Sequence, residues 1–236
     1  DYRRAGEFLR RAFNAAQSSG DRGLQARSLN RMGNWHLNVG QTREALQFHR
    51  EALETFQAID DREGVAETLD LLGMANWVSG DLVQAMQYYQ QAIERFRVSG
   101  NQMGLASALA MLPIRGLAYN GDASVPATTD LRSCVRDGEL ALEVARHIDW
   151  RAGEVYAMLH LALTLGPLGE YGDALAYAQA TLQGAQEIEH RQWTTAALYA
   201  LGALHHDLLD WEIARQTLEQ ALILAEETRS AYWPNV

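Results

Sequence analysis

Apolar and small residues fall at spacings of three and four along most of this chain, and the set repeats. Leu29, Met32, Gly33, His36 and Leu37 lie on one face of a helix, and Leu69, Leu72, Gly73, Asn76 and Trp77 restate the pattern forty positions later. Gly33, Gly73 and Gly202 each follow a large apolar residue: Met32, Leu72 and Leu201. Each is followed twelve positions on by an alanine (Ala45, Ala85, Ala214), and seven beyond that by another (Ala52, Ala92, Ala221). Ala162 and Ala174 keep the twelve-residue relation, whereas the counterparts of Pro113, Cys134 and Ala141, come nine residues late. A second marker agrees: Gly64, Gly104, Gly153, Trp193 and Trp233 are separated by 40, 49, 40 and 40 positions. A period of this size with one insertion is the mark of a repeat array.

Turn signals divide the pattern into helices: Gly40-Gln41-Thr42, Ser79-Gly80-Asp81, Gly169-Glu170 and Leu209-Asp210. Thr42 and Asp81 are candidate helix caps through their side-chain oxygens. The reading is about eleven helices in a single array over 1–236. A second helix of a truncated repeat covers 1–18. Hairpins follow over 23–59, 63–98, 103–148, 152–188 and 191–228, with a first helix near 103–118 and an inserted loop at 119–129. The fold class is all-α, a right-handed α-α superhelix of antiparallel helices stacked as a solenoid. The recurring small residues have a physical reason. Glycine in a helix interior costs about 1 kcal/mol against alanine, and close helix crossing, near ~8 Å instead of ~10 Å, offsets that cost.

Composition narrows the function. With 47% hydrophobic and 21% charged residues the chain has enough apolar material for a core. A formal net charge of -10 disfavours nucleic acid and anionic membrane surfaces. The single cysteine, Cys134, allows no intrachain disulfide and fits a reducing, cytoplasmic setting. No apolar run reaches the ~20 residues of a membrane helix. The chain starts without Met and ends in Ala231-Tyr232-Trp233-Pro234, so it reads as part of a longer protein. Unfinished hairpins at its ends would then offer a route to oligomers.

No constellation signals catalysis, a cofactor or a metal. His205-His206-Asp207 is the one cluster with metal-ligand types, but adjacent helical residues point about 100° apart, and zinc wants three or four converging ligands. Cys134 occupies an alanine register and reads as a small buried residue. The tryptophans fall mostly at repeat joints, with Trp77 the best candidate for ligand contact. No phosphate-binding Gly-Lys-Ser/Thr loop is present.

Leu72-Gly73, Gly80-Asp81, Ala85, Tyr89 and Ala92 resemble the tetratricopeptide repeat family. The forty-residue period, with linkers such as Asp60-Asp61-Arg62-Glu63-Gly64, is similar to the long variant in bacterial signal-transduction ATPases of the STAND type and related transcriptional regulators. The resemblance implies a binding groove lined by the first helix of each hairpin. By register its residues are Arg27, Asn30, Asn34 and Leu37; then Glu67, Asp70, Met74 and Trp77; then Ile114, Leu117, Tyr156, Leu159, Leu163, Tyr199, Ala203 and His206. With Asp70 and Glu67 in that groove and lysine absent, a clamp for a peptide carboxylate is disfavoured. A neutral or cationic ligand, or a peptide with apolar anchors, suits it better.

The resulting expectation is a non-catalytic module of a bacterial signalling or regulatory protein. Its partner would be a protein or peptide, or another domain of its own parent chain. The alternative is a small-molecule effector-sensing domain of such an ATPase or regulator. The 119–129 loop is either a neutral insertion or a lid or hinge over the groove.

Overall fold

The computed structural model describes residues 2–116 and 130–228. The expected loop at 119–129 and Leu117 lie outside the described residues. These residues form α1 (Tyr2–Ser19), α2 (Arg22–Asn38), α3 (Thr42–Ala58), α4 (Arg62–Val78), α5 (Leu82–Ser99), α6 (Gln102–Met111), a 3-10 helix (Leu112–Gly116), α7 (Leu131–His147), α8 (Arg151–Leu165), α9 (Tyr171–Glu187), α10 (Arg191–Asp207) and α11 (Trp211–Thr228). Among the described residues there is no strand, and no helix is long and apolar enough to cross a membrane. The fold is all-α and of the repeat type expected.

The helices group into two compact units, Asp1–Gly104 and Leu105–Val236. In the first, consecutive helices from α1 to α5 pack in turn, and α2 also meets α4. In the second, α7 to α11 pack in turn, α8 also meets α10, and the 3-10 helix meets α7 and α8. In each unit, therefore, the first helix of one hairpin touches the first helix of the next, while the second helices splay.

The small residues sit where bulk is delivered from the partner helix. A Cβ on Gly33 would lie 2.5 Å from the His49 ring, one on Gly73 2.8 Å from the Tyr89 ring, and one on Gly202 2.6 Å from Leu218. His49, Tyr89, Gly138, Ala178 and Leu218 share one register on the second helices. In the hairpin that carries Pro113 the volumes are exchanged. Gly138 is the small residue, and a Cβ there would stand 3.2 Å from the Pro113 ring and 2.7 Å from Leu161. Three crossings thus pair a glycine on the first helix with bulk on the second, and the Pro113 crossing divides the volume the other way.

Two local expectations are corrected. The first helix near 103–118 ends as an α-helix at Met111 and continues as the 3-10 helix. Pro113 has no N–H to donate, and its ring restricts the residue before it. Arg115 ties this segment to α7: its guanidinium donates to Leu112 O (2.9 Å), Ser133 Oγ (3.1 Å) and Asp137 Oδ2 (2.5 Å). Thr42 is also not a cap. It opens α3, and the preceding Gln41 holds the cap position without a side-chain bond. Asp81 does cap α5, accepting from Gln84 N at 3.0 Å, and Asp21 and Asp61 cap α2 and α4 in the same way.

The turns rely on one left-handed residue each. Gly40, Gly80 and Gly169 take that conformation after α2, α4 and α8, but after α10 the position is Leu209, at φ 65° and 65% exposed. A left-handed conformation costs a non-glycine residue roughly 1–2 kcal/mol. Leu209→Gly is therefore expected to stabilise the chain by about 1 kcal/mol in urea denaturation. A loss of stability would show that Leu209 contributes more by packing than it costs in strain.

Candidate functional site

In the first unit the structure brings α2 and α4 side by side, with Arg27 and Asn34 on one and Asp70, Met74 and Trp77 on the other. Arg27 is exposed. Its guanidinium lies 3.5 Å from Asp61 and 5.9 Å from the centre of the Phe56 ring. Asn34, Leu37, Asp70, Met74 and Trp77 are half-buried. Partial burial and the neighbouring Glu63 carboxylate push Glu67 above the usual carboxylate range. This face is polar and carries more carboxylate than guanidinium.

Asn30 is placed differently from the groove position its register suggested. It is 7% exposed, and its amide is committed to a chain of buried hydrogen bonds. His49 Nδ1 lies 3.0 Å from Asn30 Oδ1, Asn30 Nδ2 donates to Thr68 Oγ1 at 2.8 Å, and Thr68 Oγ1 donates to Gly64 O at 2.6 Å. The chain joins α3, α2 and α4. Because Asn30 offers an acceptor, the neutral His49 carries its proton on Nδ1. Burial lowers its pKa to about 4. Ile114 and Leu159 are likewise core residues, 0% and 6% exposed.

In the second unit the corresponding face is aromatic. Tyr156 on α8 stacks on Trp193 of α10, centroids 5.5 Å apart and planes at 21°, and Trp193 stacks on His190 at 4.1 Å. The Tyr156 hydroxyl points to the Met111 sulfur. Trp193 belongs to this surface although sequence register placed it only at a repeat joint. Tyr199, Leu163 and Ala203 are half-buried. Burial, then the nearby Asp207 carboxylate, raises the Tyr199 hydroxyl above its usual range. His206 is exposed and meets Trp211 edge-on at 5.0 Å.

The histidine-rich end of α10 divides its contacts. His205 Nδ1 faces Asp210 at 3.3 Å, as His36 Nδ1 faces Gln41 at 2.6 Å five residues on. His206 faces Asp207 at 3.5 Å instead. Cys134 is fully buried, and burial raises its thiol pKa. A buried, protonated thiol is a poor nucleophile.

A further concavity, absent from the expected groove, lies in the second unit: a cleft of about 540 Å³ between α7 and α9, floored by α8. Sequence register missed it because it forms where second helices splay, a property of packing and not of any motif.

Residues 1–58 and 24–97 match the tetratricopeptide repeat family, and residues 188–232 match anaphase-promoting complex subunit 5. The helical hairpins carry the same repeat pattern through the second unit. By the first of these matches residues 1–97 are tetratricopeptide repeats. No curated protein matches it in sequence. Among solved structures, the tetratricopeptide fold is shared with BtubC from P. vanneervenii at TM-score 0.66 and 17% identity, covering 100% of this chain and 94% of that one. The Rap conjugation gene regulator of plasmid pLS20, in complex with a Phr peptide, matches at TM-score 0.77 and 15% identity, covering 99% of this chain and 60% of that one. A STAND signal-transduction ATPase with a tetratricopeptide repeat sensor, from Pyrococcus horikoshii, matches at TM-score 0.61 and 17% identity, covering 87% and 30%. This chain thus spans less than two thirds of the Rap regulator and of the ATPase. At these identities the likeness is one of fold.

Proposed function

We propose that this chain is a non-catalytic protein- or peptide-binding module of a bacterial signalling or regulatory protein, acting through the faces that the first helices present within each of its two units. The observation that carries this reading is the side-chain content of those faces. Trp77, Tyr156, Trp193 and Tyr199 are half-buried, held by packing yet reachable, as aromatic anchors for a polypeptide are. The Rap fold neighbour, solved with a peptide, supports the same class of partner. Within the first unit Arg27, Asn34, Asp70 and Met74 would orient a segment anchored on Trp77; within the second, His206 would contact a segment anchored on Tyr156, Trp193 and Tyr199. The carboxylate-rich character near Glu67 and Asp70 favours neutral or cationic segments there.

The test is a displayed library of random peptides panned against the chain. Selected peptides are expected to lose about tenfold or more in affinity on Trp77→Ala or Tyr199→Ala, as interface anchors do. Peptides that bind both variants as tightly as the parent would remove the first-helix face from consideration.

A further inference from the structure

α1 and α11 each expose a face that helices in the same register bury. Ala5 and Ala12 of α1 stand forty positions before Ala45 and Ala52 of α3, which are 0% exposed, as are Ala85 and Ala92 of α5. Ala5 and Ala12 are themselves exposed. With Phe8, 57% exposed, and Ala15 they form one open stripe at helical spacing. α11 opens another. On α9, Tyr171 and Leu182 pack against the core between α8 and α10. Their counterparts forty positions on, Trp211 and Leu222, are 57% and 49% exposed.

The two faces carry opposite charge. α1 has four arginines against one glutamate, net +3, and α11 has four glutamates against one arginine, net -3. Arg4 and Arg11 border the α1 stripe, their guanidinium carbons 5.9 and 6.0 Å from the centre of the Phe8 ring. Glu219 and Glu226 border the α11 stripe by helical spacing. Arg215, the one cation on α11, is held by Glu212 and Glu219, both at 2.8 Å, which leaves that flank acidic. The asymmetry extends beyond the two helices. Residues 1–31 carry seven arginines against three carboxylates, net +4, and residues 105–236 carry eight against seventeen, net -9. Copies of a chain of net charge -10 repel each other on average. Only the basic α1 end meets an acidic surface with attraction.

We propose that this chain associates head to tail with a second copy of itself: the stripe of α1 on one copy receives Trp211 and Leu222 of α11 on the next, and Arg4 and Arg11 face Glu219 and Glu226. Ala5, Ala12 and Ala15 let the α11 backbone approach closely. Phe8 and Trp211 supply the aromatic area that the contact buries. The two faces differ, so the contact is heterologous, and each copy offers one of each. It uses second helices and does not depend on the first-helix reading.

Sedimentation equilibrium of the full chain tests this. The weight-average mass is expected to rise above the 26.3 kDa of one chain between about 5 and about 300 μM. Raising NaCl from ~0.05 to ~0.5 M should weaken the association several-fold, because exposed charges are screened. Phe8→Glu and Leu222→Arg change exposed positions, so helical circular dichroism should stay parental, and each alone should weaken association about tenfold or more. Mixed, the two variants should form a one-to-one dimer and nothing larger, because the intact α11 of the first meets the intact α1 of the second. A parental chain monomeric throughout, association that salt strengthens, either variant associating as tightly as the parent, or a mixture no more associated than its components would overturn the proposal.

Discussion

Gly73→Val is expected to destabilise the chain by about 3 kcal/mol, while Gly172→Ala stabilises it by a few tenths to about 1 kcal/mol. Both replace a helical glycine, and helix propensity favours each replacement by up to about 1 kcal/mol. The difference lies in what the new carbon meets. Around Gly172 nothing lies within 4 Å, whereas a Cβ on Gly73 would stand 2.8 Å from two carbons of the Tyr89 ring. Tyr89 is fully buried, so its ring cannot swing into solvent. Overpacking a dense core costs typically 1–3 kcal/mol, and the two extra methyl groups of valine put the cost at the top of that range. A double-mutant cycle isolates the contact. With Tyr89 truncated to Ala, Gly73→Ala is expected to change from destabilising to stabilising, as at Gly172. Urea denaturation of the four proteins measures this. If Gly73→Ala stabilises the parent as well, the crossing has slack and the small-residue argument fails.

That contact also marks what the sequence disclosed and what it withheld. The all-α class and the eleven helices of the described residues were legible because glycine and alanine recur where helices cross. Less visible was that the crossing is an exchange of volume. Gly33 faces His49, Gly73 faces Tyr89 and Gly202 faces Leu218, while Pro113 faces Gly138. The spacing of sixteen, or twenty-five across the insertion, stands in the sequence, yet only the pairing gives it meaning. The candidate surface was less legible for a related reason. Register assigns a residue to a face but cannot say how deeply a neighbour covers it. Asn30 sits at the register of Asp70, and a histidine on α3 draws its amide inward. Trp193 occupies the register of Gly153, where the Trp150 ring packs against the glycine. The α7–α9 cleft depends on the splay of two second helices, and no residue pattern announces splay.

Acid should unfold the chain more steeply than its carboxylates alone would require, and two histidines are the cause. His49 and His160 are 0% and 4% exposed, and burial lowers the pKa of each from 6.5 to about 4. His160 Nδ1 lies 3.0 Å from Tyr156 O. That contact is too little to offset the desolvation of an imidazolium. Well above pH 6.5 both states are neutral at these sites, and neither residue makes stability depend on pH. As pH falls from 6.5 to 4, the unfolded chain takes up protons that the folded chain refuses, so stability declines. At 1.36 kcal/mol per pKa unit, each histidine removes about 3 kcal/mol over that window, and below pH 4 the loss levels off. Leucine is compatible with both registers, since Leu218 occupies that of His49 and Leu71 that of His160. His160→Leu should flatten the decline in urea-derived stability between pH 6.5 and 4 by about 1.4 kcal/mol per pH unit. His49→Leu should do the same, with a loss of about 1 kcal/mol at neutral pH because Asn30 loses a donor. His49 lies in the first unit and His160 in the second. A decline as steep in the doubly substituted chain as in the parent would mean that neither imidazole is held neutral by burial.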